Sequence, residues 1–406
     1  MNIAHQGGED EVPSNTMYAY RRAVAVGSDM LEIDIHSTAD AHVVVMHDGT
    51  VDRTTEGSGS VYEKSLSEVQ ALDAAYNFVP GEGTKEGETE SAYVFRGVRT
   101  GAKPPPSGFR ADDFRIPALV EVLRAYPNIP INIEIKGAAD SDVDSFMRNA
   151  ELLAAELERI GRTDGIIVAS FNDVALSRFH ELAPEVGIAP ATGAVAAWKA
   201  ANVSPPEGTV AFQVPITFGG VSVTDREFVE RAHAQGYAVH VWLSGQREAP
   251  DVYEQLLDWD VDGIMAAEPT ALERVLCRRG TARPPTPGVT HCTSAATSGC
   301  EAAPARLSRA GRRGVVWLRV RRVGRNGLCR GTARLLRSFA ERRARTKTLA
   351  RRRFAIPDGR RVVRVRLRLS RRGRRALAGR ARVHVVAVVR PEGRPPASRR
   401  FWLRRR

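Results

Sequence analysis

Short apolar segments alternate with longer amphipathic ones through the first 280 residues, and this pattern most constrains how the chain folds. It is typical of a parallel sheet whose strands are joined by helices. Nine segments are predicted as strands, whereas a closed (β/α)8 barrel needs eight. They are residues 2–5, 30–36, 42–47, 131–136, 165–170, 187–191, 210–215, 238–243 and 262–266.

Only five residues separate the second predicted strand from the third. Such a connection is too short for a parallel crossover, so we expect an antiparallel hairpin there, within an α/β fold of the TIM (β/α)8 type. Residues 74–113 lack this alternation of segments and are rich in Gly, Pro and charged residues, which predicts an insertion over one rim of the barrel. Helices are expected at residues 15–26, 140–160, 225–235 and 269–277.

Charge divides the chain into two parts of opposite sign. Residues 281–406 hold 37 of the 60 Lys and Arg and 4 of the 47 Asp and Glu, which leaves 23 and 43 for residues 1–280. The formal charges are therefore +33 and −20, by subtraction. Because a stretch rich in Pro and small residues lies between them, we predict a barrel over 1–278, a linker over 279–305 and an Arg-rich domain over 306–406.

The Arg-rich domain alternates apolar residues with arginine, as in Val363, Arg364, Val365 and Arg366. This pattern predicts a small all-β, sandwich-like domain with one arginine face. Its aromatics are too few for base stacking, so no sequence-specific nucleic acid is expected as a partner. Attraction to an anionic lipid or wall polymer is favoured, and a spacer with no partner is the alternative.

Cysteine usage and hydropathy bear on the compartment. Cys277, Cys292, Cys300 and Cys329 contain no C-x-x-C pair, which favours two disulfides over zinc binding, with free thiols as the alternative. No apolar run reaches the length of about 18 residues that a membrane-spanning helix needs, and no signal peptide is recognised. Because a strand is predicted from residue 2, we hypothesise that the true start lies upstream. An extracellular or cell-surface location is then expected, and a cytoplasmic one otherwise.

Two carboxylates lie two positions apart on the second predicted strand. Strand side chains alternate, so Glu32 and Asp34 share one face and the apolar Leu31, Ile33 and Ile35 share the other. Two enclosed like charges are unfavourable unless a cation lies between them. A hard divalent metal with oxygen ligands meets this need, and a solvated edge strand is the alternative.

The strand at residues 131–136 repeats this design with Glu134 and Lys136 on one face. Glu134 is a candidate third ligand and Lys136 a candidate phosphate contact, with a plain ion pair as the alternative. His5 and His47 end two other predicted strands, where parallel barrels carry their active sites. In-line cleavage of a phosphodiester needs one base and one acid, and two histidines beside a metal supply them.

These residues resemble the motifs of the glycerophosphodiester phosphodiesterase family, a TIM barrel of the phospholipase C-like phosphodiesterases. The resemblance runs in order over about the first 278 residues. The matching pieces are Ala4-His5-Gln6-Gly7, Pro13-Ser14-Asn15-Thr16, Gly27-Ser28-Asp29, Glu32-Ile33-Asp34, His47-Asp48, Glu134-Ile135-Lys136, Ser170-Phe171-Asn172, Val241-Trp242 and Val261-Asp262-Gly263-Ile264.

The resemblance implies a role for each matching residue. His5 and His47 become the general acid and base, and Glu32, Asp34 and Glu134 become the ligands of Ca²⁺ or Mg²⁺. Lys136, Gln6 and Trp242 are expected to contact the substrate. The implied reaction releases glycerol 3-phosphate and an alcohol from a small glycerophosphodiester, by attack of the neighbouring glycerol hydroxyl and hydrolysis of a cyclic phosphate.

Two positions depart from the family pattern. Gln6 stands where the motif has arginine, and Ser14 stands where it has glutamate. A neutral donor is weaker than a charged one, so lower affinity or a changed substrate is expected. Two alternative functions therefore stay open, a phospholipase D-like lipid lyase and a weakly active barrel that serves a polyanion-binding tail.

Overall fold

The computed structural model describes residues 1–243, 245, 248–292, 301–307, 315–323, 329–337, 347–356, 362–371, 374–375, 382–391 and 397–404. They form two compact units, Met1–Ala296 and Thr297–Arg406. In the first unit the strands are β1 Asn2–Ala4, β2 Met30–Ser37, β3 Val43–Val45, β4 Phe78–Val79, β5 Gly83–Thr84, β6 Ile131–Ile135, β7 Ile166–Ala169, β8 Gly187–Ala189, β9 Ala211–Pro215, β10 Thr217–Phe218, β11 Val221–Ser222, β12 Ala238–Trp242 and β13 Gly263–Ala266.

The helices of the first unit follow most of these strands. They are α1 Met17–Val26, α2 Leu66–Ala71, α3 Leu119–Ala125, α4 Val143–Ile160, α5 Asp173–Leu182, α6 Thr192–Ala201, α7 Arg226–Ala234, α8 Pro250–Asp258 and α9 Pro269–Arg279. Among the described residues, no helix is both long enough and apolar enough to cross a membrane.

Eight parallel strands form a nearly closed barrel. Their order is β8-β7-β6-β2-β1-β13-β12-β9, and a parallel bridge between Ile188 and Thr209 links the two ends of the sheet. β3 pairs antiparallel with β2, as the five-residue connection predicts. The predicted TIM-type barrel is therefore confirmed, together with the hairpin that explains the ninth strand.

Strand alternation sorts the side chains of β2. Leu31, Ile33 and Ile35 pack outward into a core with the surrounding helices, and their exposure is 0%. Glu32 and Asp34 consequently point into the barrel, whose interior also holds the polar pair Gln213 and Asn132, joined by a hydrogen bond of 2.7 Å. The apolar face of β2 thus packs against the helices, and its polar face lines the barrel interior.

The predicted insertion packs against the barrel through aromatic side chains. Tyr18 of α1 contacts Phe95, Phe109 and Phe114, at centroid distances of 5.1, 4.6 and 4.6 Å. The insertion also reaches the turn after β1, because the amide of Gly81 donates to the carbonyl of Asp10. The insertion is therefore packed against the barrel beside this turn.

The segment that follows α9 is attached to the first unit. Arg283 is buried between Asp29 and Glu273, with Nη1–O distances of 3.0 and 2.7 Å. A disulfide joins Cys277 of α9 to Cys292. Cys300 and the side chain of Cys329 lie outside the described part of the chain.

In the second unit the described residues form two antiparallel sheets that share one apolar core. Alternation places valine and leucine inside and arginine outside, as the sequence predicts. The strands are β14 Glu301–Leu307, β15 Val315–Val323, β16 Cys329–Arg337, β17 Lys347–Ile356, β18 Val362–Arg368, β19 Arg382–Pro391 and β20 Ala397–Arg404, in the orders β14-β15-β18 and β17-β16-β19-β20.

Candidate active site

Three carboxylates meet inside the barrel where β2 and β6 lie side by side. The parallel register pairs Asp34 with Glu134, and Glu32 with Asn132. One carboxylate oxygen each of Glu32, Asp34 and Glu134 lies within 4.8 Å of the other two. Glu32 and Asp34 are buried, with 1% and 0% exposure. Acids from two strands, far apart in sequence, therefore form one compact group of oxygens.

Lys136 lies among these carboxylates. Its Nζ is 2.6 Å from Oε1 of Glu134 and 3.1 Å from Oδ1 of Asp34. The ammonium thus shows that the group accepts a cation. Oxygen donors in a charged, compact set are also what Ca²⁺ and Mg²⁺ prefer, so the residues present fit a divalent ion.

The electrostatics of the carboxylates follow from burial and charge. Burial raises the pKa of Glu32 to about 8, and the charge of Asp34 adds to this effect. Burial alone would also raise the pKa of Asp34, but the charges of Lys136 and the two site histidines hold it below its usual range. A positive charge placed beside Glu32 would therefore lower its pKa and favour its ionised form.

Hydrogen bonds from neighbouring elements orient two of the acids. The backbone amide of Gln6 donates to Oε2 of Glu32 at 2.7 Å. Nδ2 of Asn15 donates to Oδ2 of Asp34 at 3.0 Å, while Oδ1 of Asn15 accepts from Tyr20. Such outer contacts hold ligand carboxylates in a fixed direction.

His5 starts a tight turn directly after β1. Its Nδ1 bonds to the carboxylate of Glu9, and its Nε2 lies 3.8 Å from Oε2 of Glu32. Burial alone would lower the pKa of His5, but the charges of Glu9 and Glu32 raise it well above its usual range. The turn requires Gly7, because φ is +78° there and a Cβ atom would lie 2.7 Å from Cβ of Ala19.

His47 follows β3 and faces the same cavity. Its Nδ1 bonds to Oδ1 of Asp48 at 2.7 Å, and Asp48 in turn accepts from Nη2 of Arg53 at 3.0 Å. The His47 side chain is 41% exposed. Both histidines therefore use Nδ1 for a carboxylate contact, and Nε2 of His5 lies near Glu32.

One cavity of about 650 Å³ brings most of the predicted residues together. His5, His47, Glu32, Glu134, Lys136 and Trp242 line it. Asp34 lies beneath this surface, and Gln6 is buried behind it, where its backbone holds Glu32. The structure thus places Gln6 beside a carboxylate, and its expected contact with substrate stays a prediction.

Several site residues escaped sequence reasoning. Glu9 contacts His5, and nothing in the local pattern marks it among the neighbouring acids. Asn15 belongs to the recognised Pro13–Thr16 motif, so a signal for it existed, although its role did not follow from the motif. Phe171, which belongs to the recognised Ser170–Asn172 motif, and Phe218, which no motif marked, flank Trp242 at centroid distances of 6.0 and 6.4 Å. Their proximity depends on the closure of the barrel.

A second group of carboxylates lies near the turn that carries His5. Glu248 accepts hydrogen bonds from the amides of Ala267 and Glu268, at 2.8 and 3.3 Å. Burial raises the pKa of Glu248 to about 7 and that of Glu268 to about 8, and the charge of Glu11 adds to the shift at Glu268. Burial likewise raises the pKa of Glu11.

Comparison with known proteins bears on this geometry. Residues 5–271 match the family model described as the glycerophosphoryl diester phosphodiesterase family. A glycerophosphodiester phosphodiesterase of Caldanaerobacter subterraneus is 30% identical over 283 residues, which cover 68% of this chain and 98% of that protein. A probable glycerophosphodiester phosphodiesterase 2 of Mycobacterium tuberculosis is 28% identical, over 68% of this chain and 91% of its own length.

Two solved structures share the barrel fold. One is the glycerophosphoryl diester phosphodiesterase domain of an uncharacterised Mycobacterium tuberculosis protein, with a TM-score of 0.51, 18% identity and coverage of 68% of this chain and 98% of that chain. The other is a putative glycerophosphoryl diester phosphodiesterase from Silicibacter pomeroyi, with a TM-score of 0.54, 20% identity and coverage of 70% and 94%.

Proposed function

Because the chain belongs to the glycerophosphoryl diester phosphodiesterase family, we propose that this phosphodiesterase holds a divalent cation on Glu32, Asp34 and Glu134 and cleaves glycerophosphodiesters into glycerol 3-phosphate and an alcohol. The observation that carries the proposal is the compact group of three carboxylate oxygens within 4.8 Å, on a cavity that two histidines also line.

Ca²⁺ and Mg²⁺ both suit an all-oxygen site of this kind. When bound, the ion neutralises charge that develops on the phosphoryl oxygens. The chain supplies the rigid part of the site, because the amide of Gln6 orients Glu32 and the side chain of Asn15 orients Asp34. Fixed ligands lower the reorganisation needed when the substrate reacts.

His5 and His47 are the proposed proton-transfer residues. In each histidine Nδ1 contacts a carboxylate, which orients the ring so that Nε2 can take part in proton transfer. One of them removes the proton from the attacking hydroxyl, and the other donates a proton to the leaving oxygen. Lys136 is proposed to contact a phosphate oxygen, since its ammonium already lies beside the carboxylates and on the cavity wall.

Release of glycerol 3-phosphate from glycerophosphocholine tests the proposal, with the full chain assayed in Mg²⁺, in Ca²⁺ and in chelator. His47→Ala should lower kcat by about 10²–10⁴. The matched control is His42→Ala, whose side chain is 53% exposed on the same hairpin and pairs with Asp40. Activity indifferent to both chelator and His47→Ala would overturn the mechanism. A cyclic phosphate as the final product would instead indicate a lyase.

We also propose that the second unit binds a phosphate-rich anionic surface, as in membrane lipids or wall polymers. In support, β15 and β18 place Arg319 directly opposite Arg364, and Trp317 opposite Arg366, with all four exposed. Directly opposed like charges destabilise a sheet, and an anion that binds both of them would relieve the repulsion.

Cosedimentation of the full chain with phosphatidylglycerol vesicles tests this second proposal, with phosphatidylcholine vesicles and an anionic wall polymer as further arms. Arg319→Glu with Arg364→Glu should weaken binding, while Arg159→Glu, an exposed substitution on the barrel, should not. Equal binding to neutral and anionic vesicles would reject the proposal.

We further propose a location outside the cytoplasm, which the disulfide between Cys277 and Cys292 supports.

A further inference from the structure

Three side chains that do not line the catalytic cavity are joined to one another by hydrogen bonds. His36 on β2 and Asn149 on α4 are both 0% exposed, and the hydroxyl of Tyr62 bonds to each of them. Tyr62 lies in a single turn of 3₁₀ helix between β3 and α2. This turn is attached to the chain that follows β3, because the amide of Val61 donates to the carbonyl of Gly49 at 3.0 Å.

The ring of His36 connects this network to the backbone of His47. Its Nε2 lies 3.1 Å from the carbonyl oxygen of His47, and its Nδ1 lies 2.7 Å from the hydroxyl of Tyr62. A carbonyl oxygen can only accept, so Nε2 carries the proton of the neutral ring. Nδ1 then accepts from the tyrosine hydroxyl, and the tautomer of His36 is fixed by its two partners.

The side-chain amide of Asn149 connects the other end of the network to Lys136. Its Nδ2 donates to the hydroxyl of Tyr62 and to the carbonyl oxygen of Lys136, at 2.8 Å each. Both N–H groups of the amide are therefore used. Because the tyrosine hydroxyl in turn donates to His36, hydrogen bonds run without interruption from the carbonyl of Lys136 to that of His47.

The two carbonyls lie where strand pairing ends. β3 ends two residues before His47, and β6 ends one residue before Lys136. The backbone just before each carbonyl is still attached to β2, because the amide of Met46 donates to the carbonyl of Asp34 at 3.0 Å and the amide of Lys136 donates to that of Ile35 at 3.3 Å. The network thus extends the fixed backbone to the peptide groups that follow.

We propose that His36, Tyr62 and Asn149 are positioning residues, which hold His47 and Lys136 at a set separation by binding their carbonyl oxygens. The inference rests on the proposed function, in which His47 transfers a proton and Lys136 contacts the phosphate. A displacement of about 1 Å between reacting groups can lower a rate about 10²-fold. The network itself transfers no proton to the substrate, since a peptide carbonyl ends it on each side.

Tyr62→Phe removes the hydroxyl that joins His36 to Asn149 and keeps the aromatic ring. The full chain is assayed in its activating metal for release of glycerol 3-phosphate from glycerophosphocholine. We expect kcat to fall on the order of tenfold to hundredfold, with a smaller change in KM, because outer contacts of this kind act through the groups they orient.

The matched control is Tyr93→Phe in the insertion. Tyr93 is 3% exposed, and its hydroxyl also makes two hydrogen bonds, donating to the carbonyl of Lys85 and accepting from the amide of Glu88 at 3.0 Å each. Loss of this hydroxyl should lower the melting temperature about as much as Tyr62→Phe does. It should leave kcat unchanged, because Tyr93 does not contact the residues of the proposed site.

Substitutions of His36 separate positioning from packing. His36→Gln keeps an N–H donor that can reach the carbonyl of His47, so this variant should retain more of the parent kcat than His36→Leu, which has no donor. In the His47→Ala background, His36→Leu should cause little further loss of kcat, because the side chain that His36 positions is then absent. A purely structural role would lower kcat by the same factor in both backgrounds.

The outcomes distinguish this inference from the proposed function. Equal kcat in Tyr62→Phe and Tyr93→Phe, in a parent that cleaves the diester, would overturn the inference and leave the proposed function standing. An undiminished effect of His36→Leu in the His47→Ala background would overturn it as well. A parent that releases no glycerol 3-phosphate in any metal would reject the proposed function, and the inference with it. Thermal melting shows that each variant retains the fold.

Discussion

Nζ of Lys136 lies 3.1 Å from Oδ1 of Asp34, and the aspartate carboxylate is fully buried. Asp34 lies on β2 and Lys136 directly follows β6, so the ion pair links two neighbouring strands inside the barrel. Burial lowers the pKa of Lys136, but the charges of Asp34 and Glu134 more than reverse this and raise it above its usual range. A lysine and a divalent ion would share one set of carboxylates.

Lys136→Met removes the ammonium from this group. Without the metal the variant should lose about 3 kcal/mol of unfolding free energy, because a buried pair that loses one partner leaves an uncompensated charge. Added Ca²⁺ or Mg²⁺ should restore much of this stability and bind more tightly than in the parent protein. The value of kcat/KM should fall by about 10²–10³. Thermal melts, calorimetric titration and the diester assay measure the three effects.

The control for this variant is Lys85→Met, which removes two surface ion pairs, with Glu82 and Glu88, from a lysine that is 43% exposed. It should change stability by less than about 1 kcal/mol. Equal metal affinity in Lys136→Met and the parent would show that the ammonium does not compete for the carboxylates.

Gln6→Arg introduces a charged donor next to Glu32. A charged hydrogen bond is about twice as strong as a neutral one, so KM for the diester should fall by up to about tenfold with a smaller change in kcat. Gln6→Met, which has similar length and no donor, should raise KM. Steady-state kinetics separate these cases. A many-fold gain in kcat over a near-background parent would instead favour the weakly active barrel.

Glu9→Ala removes the carboxylate that contacts Nδ1 of His5. The imidazole then loses the partner that sets its orientation and tautomer, so kcat should fall on the order of tenfold to hundredfold while KM changes little. Glu9→Gln keeps a side-chain oxygen as an acceptor and should retain more activity. The idea fails if Glu9→Ala matches the parent in kcat.

Cys277→Ser with Cys292→Ser opens a disulfide whose cysteines are 15 residues apart. Closing a loop of about this length is worth about 3 kcal/mol in the chain-entropy description, so the barrel should melt at a lower temperature. Limited proteolysis should also cleave sooner near Arg283. Unchanged melting and unchanged cleavage would mean that the ion pairs of Arg283 alone hold the segment.

Glu268→Gln tests the pH dependence of barrel stability. The pKa of Glu268 is raised from 4.5 to about 8 by burial, so the protonated form favours folding below about pH 4.5. That stabilisation is lost as pH rises through about 8, because the fold then holds a charge that the unfolded chain solvates better. At pH 9 the variant should melt about 2–4 °C above the parent, which about 1 kcal/mol produces in a domain of this size.

The same variant should lose this advantage at pH 4, where the glutamate is protonated in both states. The exposed substitution Glu86→Gln serves as its control. A melting difference between Glu268→Gln and the parent that stays constant from pH 4 to 9 would refute the assignment of the effect to titration of Glu268.

Local patterns were sufficient for part of this protein. Alternation along residues 31–35 predicted which side chains of β2 face the barrel, because successive strand side chains point to opposite faces whatever lies around them. The short connection after β2 likewise predicted the hairpin, because a connection of this length is too short for a parallel crossover. The resemblance also selected the five side chains of the proposed chemistry, of which the cavity lining includes four.

Other features depended on which distant segments meet. Glu32 and Glu134 are 102 positions apart, and the pairing of β2 with β6 in the sheet makes them neighbours. Phe171, Phe218 and Trp242 meet at the cavity although they come from three different loops and strands. The pairing of Cys277 with Cys292 was likewise one of three connectivities that four cysteines allow.

The sequence by itself therefore determined the nine predicted strands, four of the helices, the alternation of faces along β2 and the chemical groups available to the site. Tertiary structure alone decided which groups meet, because strand order and loop packing depend on burial summed over the whole barrel. Periodicity reports a residue's direction relative to its own strand. It carries no information about the partner across the cavity.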